Sequence, residues 1–168
     1  MMIIRLAQKE DLQQIMSIYA YARKQMMCSG NAKQWGNDKP SLETIQEDID
    51  KRQSFVLINQ ACICGVFAFI IGDDPTYQVI EGGSWLNDAP YGTIHRIAAN
   101  GQVNGIFAAA LAFCENKIQN IRIDNHAAFA QKTWISAVRL HLCRRQNTAN
   151  CISEDLFKTL MVIDFPMS

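Results

Sequence analysis

Three ionisable side chains in the middle of the sequence could serve proton transfer. His95 lies inside an apolar run and can exchange a proton near neutral pH, as a general base must. Glu81 precedes a pair of glycines, and Asp88, a weaker candidate, stands in the polar loop just before the same apolar run. Each has an ordinary alternative, which is a half-buried strand histidine bonded to a neighbour or a solvated loop carboxylate. The residue types alone therefore make these groups candidates for proton transfer but do not assign the role to any of them.

A second feature is the junction after His95, where an apolar strand pattern gives way to an alanine-rich helix pattern. Small or neutral residues occupy it: Asn100, Gly101, Gln102, Asn104 and Gly105. A helix N-terminus leaves about four backbone N–H groups without intrahelical partners, and the helix dipole makes that end positive. Such a junction can bind phosphate if no bulky side chain blocks it. Its spacing matches neither Gly-Lys-Ser/Thr nor Gly-x-Gly-x-x-Gly, so an ordinary turn remains an alternative.

Hydrophobic periodicity indicates the elements that would position these residues. Short apolar runs predict strands over 3–6, 55–58, 61–71 and 91–98, and alternation with a period of two predicts one over 121–124. Apolar spacing of three and four predicts helices over 12–28, after the N-cap candidate Ser41, and over 105–119. Asn59-Gln60 is a candidate two-residue hairpin turn. The last strand, helix and strand have the size of a βαβ unit, so we predict one α+β domain.

Composition excludes several classes of protein. The chain has 168 residues, of which 49% are hydrophobic, and this suits one globular domain with its own core. Its formal net charge of +0 gives no footprint for nucleic acid or for an anionic membrane surface. The longest apolar run, 61–71, is too short to span a bilayer. The first residues lack the pattern of a signal peptide, so we predict a cytoplasmic protein.

The cysteines predict neither a metal site nor a redox site. Cys62, Cys64 and Cys114 lie in apolar strand or helix patterns, where a thiol behaves as a small hydrophobic group. The Cys-x-Cys spacing is typical of neither a zinc site nor a redox Cys-x-x-Cys. We therefore expect buried, reduced thiols and no metal.

Two stretches of the sequence, in this order, resemble the GNAT superfamily of acyl-CoA N-acyltransferases. They are "IIRLAQKEDLQQI" near the N-terminus and "YGTIHRIAANGQVNGIFAAAL" across the junction. The family signature after its central strand is Gln/Arg-x-x-Gly-x-Gly/Ala. Gln102 and Gly105 match it, whereas Phe107 is bulky where the family has a small residue. The resemblance covers 1–124 and implies an α+β fold with a mixed, centrally splayed β-sheet flanked by helices.

The resemblance also implies how acetyl-CoA, as co-substrate, would bind. Backbone groups of Ile97, Ala98 and Ala99 would hold the pantetheine arm between the two splayed strands and polarise the thioester carbonyl. The diphosphate would lie on the turn and first helical residues: Gln102, Val103, Asn104, Gly105, Ile106, Phe107 and Ala108. A primary amine, on a small molecule or a peptide, would then attack the thioester directly. His95 and Glu81 would be the candidate bases.

Three aromatic residues could line the acceptor pocket of such an enzyme. Trp35, Trp85 and Tyr91 fall in or near the loops that would border it, and aromatic side chains commonly line small-molecule sites. Packing in the core or on the surface would explain them equally well.

The C-terminal segment, 125–168, does not continue the family pattern. The resemblance leads one to expect a helix, a Gly-Phe turn and a final strand pair, yet no alternating strand pair follows the helical spacing of Ile135, Val138 and Leu142. With permitted codons, residues 125–157 can be shifted by one nucleotide to encode those missing parts. We hypothesise a small deletion and frameshift near Asn125, which the gene sequence would test.

The altered tail leaves three functions open. The first is an N-acetyltransferase. The second is a non-catalytic acyl-CoA-binding domain with an impaired acceptor side. The third is an interaction domain that presents basic residues of the tail, Arg139, Arg144 and Arg145. An uncovered sheet edge could also support a homodimer.

Overall fold

The computed structural model describes residues 2–28, 35–73 and 89–123. They form five strands and three α-helices. In chain order these are β1 (Ile3–Leu6), α1 (Leu12–Cys28), α2 (Leu42–Asp50), β2 (Ser54–Asn59), β3 (Cys62–Ile71), β4 (Tyr91–Ala99), α3 (Ile106–Glu115) and β5 (Asn120–Ile123). A single 3₁₀ turn, Lys9–Asp11, leads into α1.

The strands form one mixed sheet in the order β1-β2-β3-β4-β5. The first four are antiparallel neighbours, and β5 pairs parallel to β4. The described part of the chain is therefore α+β, as the sequence predicts. The second predicted segment, 125–168, lies outside the described residues, as does Asp124.

Each face of the sheet carries its own hydrophobic core. On one face, α3 packs through Ile106, Phe107 and Ala110 against side chains such as Phe67 and Phe69. On the other face, α1 and α2 pack against another set of buried residues: Ile15, Ile18, Tyr19, Ile45, Ile49, Val56, Val66 and Ala98. Successive side chains of a strand point to opposite faces of the sheet. The residues of β3 and β4 that belong to either core therefore show which face their neighbours occupy.

Local sequence signals explain several element boundaries. Ser41 caps α2, since its Oγ accepts a hydrogen bond from the Thr44 amide at 3.2 Å. The β2–β3 hairpin is confirmed, but its turn is Gln60-Ala61, one residue later than predicted. Both turn residues have positive φ, 49° and 65°, which suits the twist of a two-residue hairpin although neither is glycine.

Three further predictions need correction. Helix α3 ends at Glu115 rather than near residue 119, because Asn116 and Lys117 form a closing turn in which the Lys117 amide donates to Cys114 O at 2.8 Å. The spacing of Leu42, Ile45 and Ile49 predicts one apolar face on α2, but Leu42 is exposed and Asp48 is buried instead. Cys62 is exposed because it opens β3 directly after the turn.

The predicted burial of the other two cysteines agrees with the structure. Cys64 and Cys114 are buried, and the described cysteines are all free thiols. Burial raises the pKa of the Cys114 thiol to about 12, which makes it a poor nucleophile. No helix within the described ranges is both long and apolar enough to cross a membrane.

Candidate functional site

The junction between β4 and α3 is an open turn with a left-handed glycine near its start and another at its end. Gly101 has φ 77° and Gly105 has φ 82°, a conformation that side chains with a β-carbon rarely adopt. Gly105 is the N-cap of α3 and supplies no side-chain cap. Ala109 is the first helical residue to bond back, to Gly105 O at 3.0 Å. The first-turn amides therefore lie at a helix N-terminus whose first turn carries no acidic residue to repel an anion.

Packing holds this junction against the rest of the domain. A β-carbon at Gly65 of β3 would lie 2.7 Å from Ile106 Cγ2, so only glycine lets the first residue of α3 come this close to the sheet. A β-carbon at Gly101 would collide with the ring of Tyr21 on α1. By contrast, a β-carbon at Gly105 would meet nothing within 4 Å among the described residues. The turn is thus fixed at its sides and open in front of the helix.

Side chains of the turn give it internal order. Asn100 Oδ1 accepts a hydrogen bond from the Gln102 amide at 3.0 Å, and its Nδ2 lies 3.2 Å from Gln102 Oε1. The Gln102 amide is therefore bound within the turn rather than directed at a ligand. Phe107, the departure from the family signature, is only 8% exposed and belongs to the core beneath α3. Its bulk fills the core, so it leaves the front of the turn open.

A β-bulge interrupts β4 just before the junction. Ala68 of β3 pairs with His95 and Val66 pairs with Ala98, so Arg96 and Ile97 both oppose Phe67. Arg96 has φ 52°, in the left-handed region. A non-glycine residue in this conformation costs roughly 1–2 kcal/mol. A bulge of this kind re-aims the strand and removes peptide groups from the regular ladder.

Two helices hold the bulged residue in place. Arg96 Nε and Nη2 donate to the two carboxylate oxygens of Asp48 on α2, at 2.9 and 2.8 Å. The hydroxyl of Tyr19 on α1 donates to Arg96 O at 2.9 Å. Burial raises the pKa of Asp48, and the charges of Arg96 and of nearby His95 oppose that rise. Burial also raises the pKa of Tyr19, so its hydroxyl remains protonated and serves as a hydrogen-bond donor.

The side chain of His95 lies on the α1–α2 face of the sheet. Its partner Ala68 is adjacent to Phe67 and Phe69, which both point toward α3, so the Ala68 and His95 pair shares the opposite face. The His95 side chain is half-buried. Thr93 shares this face two residues earlier, fully buried, and its Oγ1 finds no hydrogen-bond partner in the described part of the molecule. The structure thus places His95 beside the bulge, close to Asp48.

The other candidates from the sequence are less informative. Glu81, Asp88 and Trp85 lie outside the described residues. Trp35 is half-buried and meets the Tyr19 ring edge-on, with the two ring centroids 5.6 Å apart. Tyr91 is buried, and the Arg122 guanidinium lies 3.4 Å from the centroid of its ring. The contacts described for both aromatic residues are packing contacts, so their role in an acceptor pocket stays a prediction.

Sequence reasoning missed Asp48, Arg96 and Tyr19. Two signals could have found the first two: an acidic residue on the apolar face of a helix and an arginine inside an apolar strand. Buried charges of opposite sign are normally paired, so each predicts a partner such as the other. Nothing in the sequence marks the hydroxyl of Tyr19 or the left-handed backbone of Arg96.

Solved structures resemble this chain over most of its length. A GNAT-family acetyltransferase from Streptococcus agalactiae is 27% identical, with 86% of this chain and 83% of that chain covered at a TM-score of 0.70. A GNAT-family acetyltransferase from Listeria monocytogenes is 17% identical, with 73% and 75% covered at 0.57. A predicted acetyltransferase with acetyl-CoA from Clostridium acetobutylicum is 15% identical, with 89% and 91% covered at 0.51.

Sequence comparison adds nothing to these similarities. No family model matches the sequence, and no curated protein matches it significantly. The structural likeness nevertheless agrees with the mixed five-stranded sheet and its helices. The chain therefore has the fold of the GNAT acyl-CoA N-acyltransferases.

Proposed function

We propose that this protein transfers an acetyl group from acetyl-CoA to a primary amine on a small molecule or a peptide. The similarity to the Streptococcus agalactiae acetyltransferase supports acetyl transfer as the general chemistry. The observation that carries the proposal is the open β4–α3 junction, which directly follows a bulged strand.

The junction has the properties that a diphosphate requires. The first turn of α3 begins at Gly105, whose missing side chain leaves the space in front of the helix open. In our proposal the amides from Val103 to Ala108 hold the diphosphate, and the helix dipole stabilises its charge. Gln102 contributes by fixing the turn through its hydrogen bonds to Asn100.

The bulged half of β4 would supply the transition-state stabilisation. Backbone groups of Ile97, Ala98 and Ala99 would line the pantetheine arm, and an N–H among them would polarise the thioester carbonyl. Donors that are fixed before the reaction stabilise the developing oxyanion without any reorganisation. A rigid bulge meets that requirement better than a flexible loop does.

His95 is our candidate for the general base, because it lies on the face opposite α3, beside the bulge. The amine nitrogen attacks the thioester carbon, and a new C–N bond forms while the C–S bond breaks. His95 takes the proton that the amine loses, and the departing thiolate takes a proton from solvent. Glu81 is the second candidate base, and Trp35, Trp85 and Tyr91 are candidates for the acceptor pocket. No metal has a role in this scheme, and a cytoplasmic location stays a prediction.

A two-stage experiment tests the proposal. Calorimetric titration of the full chain with acetyl-CoA measures binding, and thiol release over a panel of small amines and peptide N-termini measures transfer. We expect both binding and amine-dependent thiol release. Binding without release on any amine would contradict catalysis and favour an acyl-CoA-binding domain, whereas no binding would contradict the whole proposal.

A further inference from the structure

Arg96 has an unusual backbone conformation for a residue inside a strand. Among the described residues, four that are not glycine have positive φ: Arg52, Gln60, Ala61 and Arg96. The first three lie in turns, where this conformation is common. Arg96 alone of them lies within a strand, where it departs from the extended backbone of its neighbours. Strain of this kind persists only where surrounding contacts enforce it.

The contacts that enforce it come from two different helices and reach both ends of the residue. The guanidinium forms a bidentate pair with Asp48, whose side chain is 8% exposed, while that of Arg96 is 23% exposed. The carbonyl accepts from Tyr19, whose side chain is fully buried. With its side chain and its carbonyl both fixed, the peptide that joins Arg96 to Ile97 has little freedom to rotate.

We propose that Asp48 and Tyr19 are positioning residues that hold Arg96 in its left-handed conformation, so that the backbone around Ile97 and Ala98 stays aimed at the thioester carbonyl. This inference rests on the proposed function. Without the two contacts, Arg96 would be free to leave the left-handed region, where its backbone is strained. The peptide groups after Arg96 would then rotate away from the reacting carbonyl.

Stability alone does not explain this arrangement. Burying a carboxylate is costly, and a buried ion pair often stabilises a fold no more than apolar residues of the same volume would. The raised pKa of Asp48 shows that burial outweighs its favourable contacts. The pair does, however, fix one geometry, because a bidentate arginine–carboxylate contact is directional.

The molecule contains its own matched control. Arg5 and Asp11 form a second bidentate pair, with Nη1–Oδ2 at 2.6 Å and Nη2–Oδ1 at 2.9 Å. Asp11 is buried to nearly the same extent as Asp48. This pair joins β1 to the turn before α1. Strand β1 lies at one edge of the sheet, and β2 and β3 separate it from the bulged strand β4. Asp11→Asn therefore removes an equivalent charge without touching the bulge.

The test compares Asp48→Asn and Tyr19→Phe with Asp11→Asn in two readouts, well below each variant's Tm. The first is kcat and KM for the best amine. We expect Asp48→Asn to lower kcat by roughly tenfold to a hundredfold, since displacement of aligned groups by about 1 Å can cost that much. We expect a smaller loss for Tyr19→Phe, which removes one neutral hydrogen bond, and none for Asp11→Asn. Acetyl-CoA affinity should be unchanged in all three, because the diphosphate contacts remain.

The second readout does not depend on turnover. Infrared spectroscopy of bound acetyl-CoA, isotope-labelled at the thioester carbonyl, reports how strongly that carbonyl is polarised. We expect a shift to lower frequency on binding to the wild type and to Asp11→Asn, and a smaller shift with Asp48→Asn and with Tyr19→Phe. A full shift and full kcat in the last two variants would overturn the positioning role. An unshifted carbonyl in the wild type, or no binding, would instead overturn the proposed function and this inference with it.

Discussion

The two halves of β4 differ in how they are paired. From Tyr91 to Ile94 the strand is buried between β3 and β5, and Gly92 to Ile94 are in regular register with both. From His95 to Ala99 the described residues pair it with β3 alone, across a bulge, and most of its side chains are half-buried. One strand, β4, therefore combines two roles. Its regular half anchors the sheet, and its irregular half takes Arg96 and Ile97 out of regular pairing, close to an open helix N-terminus.

His95→Gln, in the irregular half of β4, should have the largest effect on turnover. If His95 is the base, kcat should fall by about 10²–10⁴-fold, the usual contribution of a positioned general base. Acetyl-CoA affinity should stay the same, because His95 is not part of the junction. Steady-state kinetics with the best amine would check this. An unchanged kcat would assign His95 a packing role and direct attention to Glu81.

Gly92 lies in the regular half of β4, and Gly65 of β3 lies opposite Ala99 in the irregular half. An alanine at either position should destabilise the fold, but the two variants should differ in acetyl-CoA binding. In Gly92→Ala, in the regular half, the new β-carbon would lie 2.5 Å from Phe69 Cζ. In Gly65→Ala it would press on Ile106 at the start of α3. Overpacking of this kind costs roughly 1–3 kcal/mol, so both should lower the free energy of unfolding measured with denaturant.

The same pair should differ in acetyl-CoA affinity. Only Gly65→Ala displaces the first turn of α3, so only this variant should bind acetyl-CoA more weakly when the two are compared well below their midpoints. Calorimetric titration of both variants would measure the difference. Equal weakening in the two would show that the position of α3 against β3 does not matter for the junction.

Lowering the pH should weaken the structural pair of Arg5 and Asp11. Hydrogen bonds from Arg5 hold the pKa of Asp11 below its ordinary value, against the opposing effect of burial, and the Gln8 amide and the Arg5 charge lower it a little further. A carboxyl whose pKa is lower in the folded state stabilises the fold above its unfolded pKa, and this stabilisation is lost as pH falls through the folded pKa.

The corresponding measurement is the free energy of unfolding of the wild type and of Asp11→Asn between neutral pH and the acid range. At neutral pH we expect the variant to be less stable by about 1 kcal/mol, as for a partly exposed charged hydrogen bond. The difference should shrink below about pH 4, where Asp11 in the unfolded chain is already protonated. A difference that is constant with pH would contradict an ionised Asp11.

The smallest effect is expected from Thr93→Val, in the regular half on the same face as His95. The hydroxyl of Thr93 is buried without a partner, so its removal should leave stability unchanged or raise it by up to about 1 kcal/mol. Turnover should stay at the wild-type value. Thermal unfolding and kcat would check both. A large loss of kcat would extend the reactive region into the regular half and weaken the division of β4.

The regular parts of the fold could be predicted from the sequence, because their causes are local. The apolar runs of β3 and β4, the apolar spacing in α1 and the Ser41 cap all act within a few residues. The hairpin turn was misplaced by one residue because Gln60 and Ala61 lack the usual turn chemistry. Pattern alone also could not show that Cys62 faces solvent.

The irregular part of the site could be predicted only in outline. The open junction follows from Gly101 and Gly105, which carry a local signal. The bulge depends on a left-handed arginine whose partners, Asp48 and Tyr19, lie 48 and 77 residues away along the chain. Contacts of such long range leave at most a weak trace in a sequence, which here is an acidic residue on the apolar face of a helix and an arginine inside an apolar strand.

In our proposal, the first turn of α3 binds the diphosphate of coenzyme A. The most direct measurement is calorimetric titration with coenzyme A and, separately, with pantetheine, of the wild type, Gly105→Ala and Gly72→Ala. Both glycines have positive φ and open space around them, so each substitution should cost about 1 kcal/mol of stability through its backbone alone. We predict that coenzyme A binds the wild type and Gly72→Ala far more tightly than pantetheine does, and that Gly105→Ala loses most of that advantage. Equal affinity for coenzyme A in the two variants, or no preference for it over pantetheine, would contradict the account.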